Sequence, residues 1–352
     1  MQTIRKGRGA ASNRAGRYER ARPEAFDDGW GTVEDDLPPL RTTVTEEAPR
    51  HAITRNDSPD IGFDRSINPY RGCEHGCIYC YARPSHAWLG LSPGLDFESR
   101  LFAKPNAPSL LEQELARPGY RCRVLAIGTN TDAYQPIEAR YEVMRGILEV
   151  LARCRHPVTI TTKSALVLRD RDLLADMARD RLAHVTMSVT TLDRRLARHM
   201  EPRAATPARR LEAVAELREA GIPVAVNFAP IIPALNDHEL EAVLKAARQV
   251  GAVSAGYTML RLPLEIADLF REWLEVHAPD RAARVLSRVR DMRGGLLYKS
   301  GFHTRMKGEG PYAETIAKRF ALACRRLGLE RGYGALDETR FCPPGAQLQL
   351  AL

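Results

Sequence analysis

From about residue 60 onward, short apolar segments rich in β-branched residues alternate with longer amphipathic segments, and this alternation restricts the chain to few folds. The short segments predict buried strands at residues 65–70, 123–129, 157–164, 183–191, 222–232 and 253–262. The longer segments predict helices at residues 137–154, 172–180, 207–221 and 237–251. Strands that alternate with helices in this way predict an α/β fold with a parallel sheet, curled into a full or partial barrel or left open.

Composition divides the chain into three predicted parts. Residues 1–22 carry seven basic side chains against one acidic side chain and almost no large aliphatic residue, which predicts a disordered basic tail, and an acidic linker follows at 24–47. The tail is interpreted either as an electrostatic grip on nucleic acid or as a solvated extension. We expect tail and linker to span residues 1–50, the core residues 51–265, and a helical extension residues 266–352.

The remaining composition is that of a soluble globular protein, with 44% hydrophobic and 27% charged residues among 352. No run of about 18 apolar residues is present, and no apolar segment follows the arginine-rich start, so neither a membrane span nor a secretory signal is predicted. These features predict a cytoplasmic protein.

Polar side chains follow the apolar part of successive predicted strands, at the end where a parallel sheet places its active site. They are Thr129, Asn130, Thr131, Asp132, Lys163, Ser164, Ser188, Thr190, Thr191, Asn227 and Tyr257. Taken singly, each is equally compatible with a helix cap or with a loop residue that hydrogen-bonds locally. Their recurrence at the same end of successive strands predicts that they converge on one mouth.

Three of the seven cysteines, Cys73, Cys77 and Cys80, fall within eight positions in RGCEHGCIYCYA, whereas the other four are scattered. In a reducing compartment such a cluster predicts a metal site and not disulfides. A structural zinc site needs four ligands, and His75 is the nearby candidate for a fourth, at an unusual spacing. An iron-sulfur cubane held by three thiolates leaves one iron open to a small molecule.

The cysteine motif resembles the signature of the radical S-adenosylmethionine (radical SAM) superfamily. Within it, INPYRGCEHGCIYCYAR, GTNTDAYQPIE, ITTKS, MEPRAATPARRLEAVAELREAGIPVAV and APIIPALND are similar to the group related to spore photoproduct lyase, over roughly residues 60–265. The resemblance implies a partial (βα)6 barrel, a 4Fe-4S cluster and S-adenosylmethionine as cofactors, and a one-electron reductant such as flavodoxin or ferredoxin. It also implies that reductive cleavage of S-adenosylmethionine yields a 5'-deoxyadenosyl radical, which abstracts hydrogen from a substrate.

The resemblance further implies roles for residues of this chain. The three cysteines would bind the cluster, and the backbone near Tyr79 would meet the adenine of the cofactor. The loop of Thr129, Asn130, Thr131 and Asp132 would recognise the methionine amino group, in place of the GGE sequence usual there, with Thr129, Asn130 and Asp132 as the expected contacts. The other expected cofactor contacts are Ser188 and Thr190 near the ribose or carboxylate, Arg203 at the carboxylate, Asn227 and Ile231 at the ribose and adenine, and Lys163 at its strand end.

One departure from that group concerns the substrate. Spore photoproduct lyases carry a hydrogen-donating cysteine in the loop after the second strand, where this chain has Gly128, Thr129 and Asn130. Cys122 precedes that strand and lies toward the opposite end of the predicted sheet. Thymine-dimer repair by the spore mechanism is therefore not expected, unless Tyr134 or another residue replaces the thiol.

Residues 266–352 predict amphipathic helices and a basic, glycine-containing loop at 294–314. The basic side chains alternate with aromatic ones, which indicates either a track for a nucleic-acid backbone or a solvated lid on the sheet. Two hypotheses remain. The first is a radical SAM enzyme, with nucleic acid as one candidate substrate. The second is a non-catalytic iron-sulfur or zinc protein that binds RNA or DNA. Formation of 5'-deoxyadenosine distinguishes them. Deletion of residues 1–45 is expected to leave the cluster intact.

Overall fold

A computed structural model describes residues 7–19, 40–332 and 334–345. Its strands are Thr43–Glu46 (β1), Ile53–Arg55 (β2), Arg65–Ile67 (β3), Tyr70–Arg71 (β4), Arg100–Ala103 (β5), Leu125–Ile127 (β6), Val158–Thr162 (β7), Ala183–Ser188 (β8), Val224–Ile231 (β9), Ser254–Met259 (β10) and Glu330–Arg331 (β11). Its α-helices are Leu95–Ser99 (α1), Ala107–Leu115 (α2), Glu138–Tyr141 (α3), Val143–Arg153 (α4), Arg171–Arg179 (α5), Arg194–Met200 (α6), Pro207–Glu219 (α7), Leu240–Gln249 (α8), Ile266–His277 (α9), Pro279–Asp291 (α10) and Gly310–Leu327 (α11). Short 3-10 helices lie at Arg83–Leu89, Ala165–Asp170, Asp237–Glu239 and Glu338–Arg340.

Eight of the described strands form one sheet in the order β11-β10-β9-β8-β7-β6-β3-β2. From β3 through β6 to β11 each neighbouring pair is parallel, whereas β2 pairs antiparallel with β3. The α/β fold and its six alternating strands are therefore confirmed. The sheet runs from β11 to β2 without pairing its two ends, which is the topology of a partial barrel.

Apolar residues explain why the strands and helices form one core. All six residues of β8 are buried, as expected for a central parallel strand that is covered on both faces. Helices α4, α5, α7 and α8 each bury a leucine in the same core, at Leu148, Leu174, Leu217 and Leu244. Thr206 caps the first turn of α7 by accepting a hydrogen bond from the Arg209 N–H.

The helix predicted over 137–154 is divided at Glu142. The residue adopts a φ of 50°, in the left-handed region, so α3 ends there and α4 begins. The buried Glu138 carboxylate accepts a hydrogen bond from the Met144 N–H at 3.1 Å, which stabilises the start of α4. This side-chain contact joins α3 to α4 at the point where an uninterrupted helix would form a backbone hydrogen bond.

A second, three-stranded sheet in the order β1-β5-β4 was not predicted from the sequence. Strand β1, of sequence TVTE, lies within the segment interpreted as a linker and pairs in parallel with β5, with Thr43 opposite Arg100. Its β-branched residues favour an extended conformation. The sheet places the start of the cysteine-containing segment beside residues 97–103, because β4 pairs with β5.

Residues 7–19, which we name the N-terminal arm, differ from the disordered tail that composition predicted. Ala10 and Arg8 are buried, and Ser12 donates a hydrogen bond to Glu272 of α9 at 2.6 Å. Arg14 and Arg17 form ion pairs with carboxylates of α9 and its N-terminal flank. The arm has few aliphatic side chains, which is why disorder was predicted. Hydrogen bonds and ion pairs attach it to the rest of the chain instead. The other residues of the predicted tail, 1–6 and 20–22, lie outside the described part.

The C-terminal extension contains the predicted helices and one strand. Helices α9, α10 and α11 follow β10, and α11 packs against α8, where Arg319 and Glu241 form an ion pair of 2.6 Å. Strand β11 then adds to the main sheet beside β10. Within the described ranges, none of the helices combines the length and apolar character needed to cross a bilayer.

Candidate active site

The cysteines occupy a tightly wound segment at 72–82, which we name the cysteine loop, between β4 and the 3-10 helix Arg83–Leu89. The Cys80 N–H donates to the Cys77 carbonyl at 3.1 Å. Gly76 has a φ of 67°, a conformation that glycine adopts without steric cost. The loop therefore folds back on itself and brings its thiols together.

The three thiols fit a shared iron-sulfur cluster. Cys73 and Cys77 are buried, Cys80 is half-buried, and all three are free thiols. Burial raises the pKa of each thiol, and in Cys73 the proximity of Asp132, Cys77 and Cys80 raises it further. Metal binding would stabilise the thiolates that burial disfavours.

A single zinc ion fits this site less well. Among the described residues, no group of three or more His, Cys, Asp and Glu side chains is arranged to hold one metal ion. His75, the candidate fourth zinc ligand, instead directs Nδ1 at Asp132 Oδ2, 3.3 Å away. In a cubane cluster each cysteine binds a different iron, so the three sulfurs do not have to meet at one ion.

Asp132 connects the cysteine loop to strands β6 and β7. Its carboxylate accepts hydrogen bonds from the Thr162 hydroxyl and the Lys163 N–H, both at 2.7 Å, and from the Tyr134 N–H at 2.9 Å. Burial alone would raise the pKa of Asp132, but His75, the Lys163 N–H and the Thr162 hydroxyl lower it to about 2. The Asp132 carboxylate thus already binds four protein groups, and the predicted contact with the cofactor would be a fifth.

Lys163 brings a positive charge to the thiols from the end of β7. Burial lowers the pKa of its ammonium group, and the proximity of Cys77 opposes that change. The Nζ atom lies 5.8 Å from the centre of the Tyr79 ring. Among the described residues Lys163 forms no ion pair, so its charge is available to an anionic group.

A buried polar network joins the cysteine loop to the segment after β8. The Tyr79 hydroxyl donates to the Glu201 carboxylate and lies 3.1 Å from the Thr190 hydroxyl, which also contacts Glu201 at 2.5 Å. Arg210 forms an ion pair with Glu201 and donates to the Ser188 carbonyl at 3.0 Å. The structure therefore brings Tyr79, Thr190 and the Ser188 carbonyl together around Glu201 and Arg210.

Asn227 and Ile231 lie on β9 at the same edge of the sheet. In the strand register Asn227 lies between Ser188 of β8 and Gly256 of β10. A Cβ atom at Gly256 would lie 3.1 Å from the Asn227 amide oxygen, so the glycine leaves room for that side chain. Ile231 is fully buried at the end of β9.

The loop after β6 is held by neighbours on both sides. The Asn130 N–H donates to the Asn68 side chain at 3.1 Å, and the Thr129 carbonyl accepts a hydrogen bond from the Tyr81 hydroxyl. Tyr134, considered as a replacement for the missing thiol, is fully buried and donates its hydroxyl proton to Asp170 at 3.0 Å. Tyr81 is 45% exposed and is thus the more accessible phenol.

Arg203 lies at the rim of the cysteine loop and pairs with a carboxylate of the protein. Its guanidinium is 3.2 Å from Glu74 Oε1, and the backbone N–H of Arg203 donates to the His75 carbonyl at 3.3 Å. The predicted pairing with the cofactor carboxylate would compete with Glu74 for the same charge. A single sequence did not indicate this partner, because Glu74 and Arg203 are far apart along the chain.

Two buried ion pairs next to the cysteine loop were missed by the sequence analysis. We name Arg83–Glu98 and Arg210–Glu201 the buried pairs; all four side chains are 1% exposed or less. Sequence offers little signal for them, because charged residues make up 27% of the chain and most are on the surface. The MEPRAATPARR segment was singled out, but for Arg203 and not for Glu201 and Arg210.

Arg261 was also missed, and it lies with Lys307 at the carboxyl end of β10. The Arg261 guanidinium is 4.5 Å from the centre of the Tyr81 ring. The Lys307 ammonium lies 3.4 Å from the Tyr257 ring centre and donates to the Tyr257 carbonyl at 2.5 Å. The Lys307 side chain is exposed overall, but desolvation of its ammonium group lowers its pKa to about 8. Neither cation has an ion-pair partner in the part of the chain that the structure describes.

Residues 67–247 match the family described as the Radical SAM superfamily, and this match covers the sheet from β3 to α8. The chain belongs to that superfamily. A 4Fe-4S cluster and S-adenosylmethionine are the cofactors of the superfamily and of this chain.

Relatives and solved structures agree with this membership. The chain is 37% identical over 226 residues to an uncharacterised protein of Mycobacterium tuberculosis, an alignment that spans 64% of this chain and 66% of the relative. It is 32% identical over 173 residues to an uncharacterised protein of Methanocaldococcus jannaschii, across 49% of this chain and 62% of the relative. Spore photoproduct lyase complexed with dinucleoside spore photoproduct superposes with a TM-score of 0.59 at 15% identity, covering 82% of each chain, which shows a shared fold.

Proposed function

We propose that the chain is a cytoplasmic radical SAM enzyme in which Cys73, Cys77 and Cys80 hold the cluster. The observation that carries the proposal is the set of three thiols, two buried and one half-buried, in one loop at the carboxyl edge of the parallel sheet, with Lys163 beside them. When bound, the reduced cluster and S-adenosylmethionine supply a 5'-deoxyadenosyl radical that abstracts a hydrogen atom from the substrate. The electron comes from a one-electron reductant such as flavodoxin or ferredoxin.

On this proposal Lys163 binds the carboxylate of S-adenosylmethionine. It is a cation without an ion-pair partner among the described residues, and a bound carboxylate would offset the burial that lowers its pKa. Tyr79 and Thr190 hold the adenosine side, because the buried Glu201 fixes both hydroxyls. Thr129, Asn130, Asp132, Ser188, Arg203, Asn227 and Ile231 complete the proposed set of contacts.

The site also supports an anionic substrate, with nucleic acid as one candidate. Arg261 and Lys307 offer positive charge at the mouth, Arg261 over the exposed ring of Tyr81 and Lys307 over the ring of Tyr257. The N-terminal arm contributes less than its sequence suggested, because Arg14 and Arg17 are already paired with carboxylates. The proposed contacts with an anionic substrate therefore rest on the mouth and not on the arm.

The experiment that tests the proposal is anaerobic reconstitution with iron and sulfide, then reduction with dithionite in the presence of S-adenosylmethionine, and chromatography for 5'-deoxyadenosine. Wild type is expected to form the product, and Cys77→Ala to lose both the iron chromophore and the product. The matched control is Cys122→Ala, which keeps both because Cys122 precedes β6 at the other end of the sheet. Loss of the cluster in the control would overturn the ligand assignment. A cluster that never cleaves the cofactor would favour the non-catalytic binding protein.

A further inference from the structure

The N-terminal arm contacts the cysteine loop through one buried carboxylate. The N–H groups of Gly9 and Ala10 donate to the two oxygens of Glu98 at 2.9 and 2.8 Å. The same carboxylate forms the buried pair with Arg83, and both side chains are fully buried. Glu98 is therefore shared between the arm and the cysteine loop.

Arg83 connects the Glu98 carboxylate to the backbone of the cysteine loop. Its Nε donates to the Cys77 carbonyl at 2.9 Å, and a terminal nitrogen donates to the Gly76 carbonyl at 3.1 Å. Both carbonyls lie within the segment that places the thiols. A chain of hydrogen bonds thus runs from the arm through Glu98 and Arg83 to Cys77.

The arm also approaches the loop directly. A Cβ atom at Gly9 would lie closer than 3.0 Å to the carbonyl oxygen of Gly76, a separation that real Cβ atoms do not show. The obstacle is backbone and cannot rotate away. Gly9 is thus the residue that allows the arm to lie on the loop, although its φ is not in the left-handed region.

Arg8 anchors the arm on its other side. Its guanidinium donates to the carbonyls of Glu98 and Leu40, both at 2.6 Å, and to the Thr42 hydroxyl at 3.0 Å. Thr42 in turn donates to Glu74 of the cysteine loop at 2.5 Å. The arm therefore holds the outer face of the loop at two places, near Cys77 and near Glu74.

We propose that Arg8, Gly9 and Ala10 are positioning residues of the cluster site. They hold the cysteine loop in the conformation that presents its thiols, and they keep water and oxidants from its outer face. This inference rests on the proposed function in that the loop holds the cluster. It opposes the sequence-based expectation that residues 1–45 can be removed without effect on the cluster.

The physical basis is local stability. Without the arm, Glu98 loses two N–H donors, and the Arg83–Glu98 pair is opened to water, which weakens its electrostatic attraction. The loop carbonyls that Arg83 holds then separate more often. Local opening of this kind exposes buried thiols without unfolding the rest of the chain.

The first test uses the protein without its cluster and measures alkylation of each cysteine by iodoacetamide, with peptide mass spectrometry. A chain that begins at Ala11 is compared with one that begins at Gly7, and Gly9→Ala with Gly62→Ala, since a Cβ at Gly62 meets nothing within 4 Å. Cys77 is expected to react about tenfold faster in the chain from Ala11 and in Gly9→Ala than in their controls. Cys154 and Cys324, buried in the main core, report global unfolding.

Equal acceleration at Cys324 and Cys77 would overturn the proposal, because the arm would then be a general stabiliser. Equal alkylation rates at Cys77 in all variants would also overturn the proposal.

The second test uses the iron-loaded protein and a readout other than turnover. In the chain from Ala11 and in Gly9→Ala, the electron paramagnetic resonance spectrum of the reduced cluster is expected to change and the lifetime of the cluster in air to shorten. Neither quantity is expected to change in the two controls. Unchanged spectra and lifetimes would overturn the arm's role while leaving the proposed function in place. A wild-type chain that takes up no iron would overturn the proposed function, and the positioning role with it.

Discussion

Positive charge is paired with carboxylates in the buried pairs, but not at the mouth, which consists of Arg261 and Lys307 at the carboxyl end of β10. In the buried pairs each guanidinium has a carboxylate partner and is inaccessible to water. At the mouth, Arg261 and Lys307 contact aromatic rings and carbonyl or sulfur atoms but no carboxylate of the described residues. The guanidinium groups paired in the buried pairs thus maintain one conformation of the cysteine loop, whereas the unpaired cations at the mouth stay available to a ligand.

The largest expected effect comes from breaking a buried pair. Glu201→Gln leaves Arg210 buried without a counter-charge and should lower the free energy of unfolding by about 3–5 kcal/mol. The control is Glu212→Gln, which removes a 61% exposed partner of Arg209 and should cost less than about 0.5 kcal/mol. Urea denaturation of the cluster-free protein measures both, and similar shifts would show that the buried pair stabilises the fold no more than an exposed one does.

A smaller effect, on binding and not on stability, is expected at the mouth. Arg261→Met should leave the free energy of unfolding nearly unchanged and weaken binding of a single-stranded oligonucleotide about tenfold, because one charge-assisted contact is lost. Arg179→Met, which removes an exposed guanidinium of α5, is the matched control. Fluorescence anisotropy at several salt concentrations measures the affinities. Equal affinities for both variants would show that the mouth cations do not contact this ligand.

The smallest effect is a pH dependence. Since the pKa of Lys307 is lowered to about 8, its charge is lost as the pH rises through 8, and oligonucleotide binding should weaken over the same range. Lys307→Arg should keep its affinity at pH 9, because a guanidinium stays protonated.

The same group has a predictable effect on folding. The folded pKa lies below the unfolded value of 10.5, so the free energy of unfolding should rise with pH between about 8 and 10.5. Lys307→Arg should lack this contribution. Titration of affinity and of denaturation midpoints for the two proteins decides whether Lys307 titrates where its desolvation indicates.

The main sheet could be predicted from sequence because its signals are local. The strands from β6 to β10 lie in short segments rich in apolar and β-branched residues, and the longer helices between them have their own periodicity and termini. The arm and β1 have no such signal. They depend on contacts across the chain, such as Arg8 with Glu98 ninety positions away, which no window of sequence contains.

The candidate site follows the same division. The three cysteines were evident from spacing, and Tyr79, Lys163 and Thr190 from their positions at strand ends or in the loop. The partners of Asp132 and Arg203 were not, because His75 and Glu74 are brought to them by the fold. Sequence thus indicated which residues surround the site, but not which of them already bind one another.

The open edge of the main sheet has a consequence for how the sheet is held together. In a closed barrel every strand is hydrogen-bonded on both sides, so the ring has no edge. Here β2 and β11 form the two edges of the described sheet and are not paired with each other. The described sheet therefore keeps its shape through the helices that pack against it and not through a closed ring of hydrogen bonds.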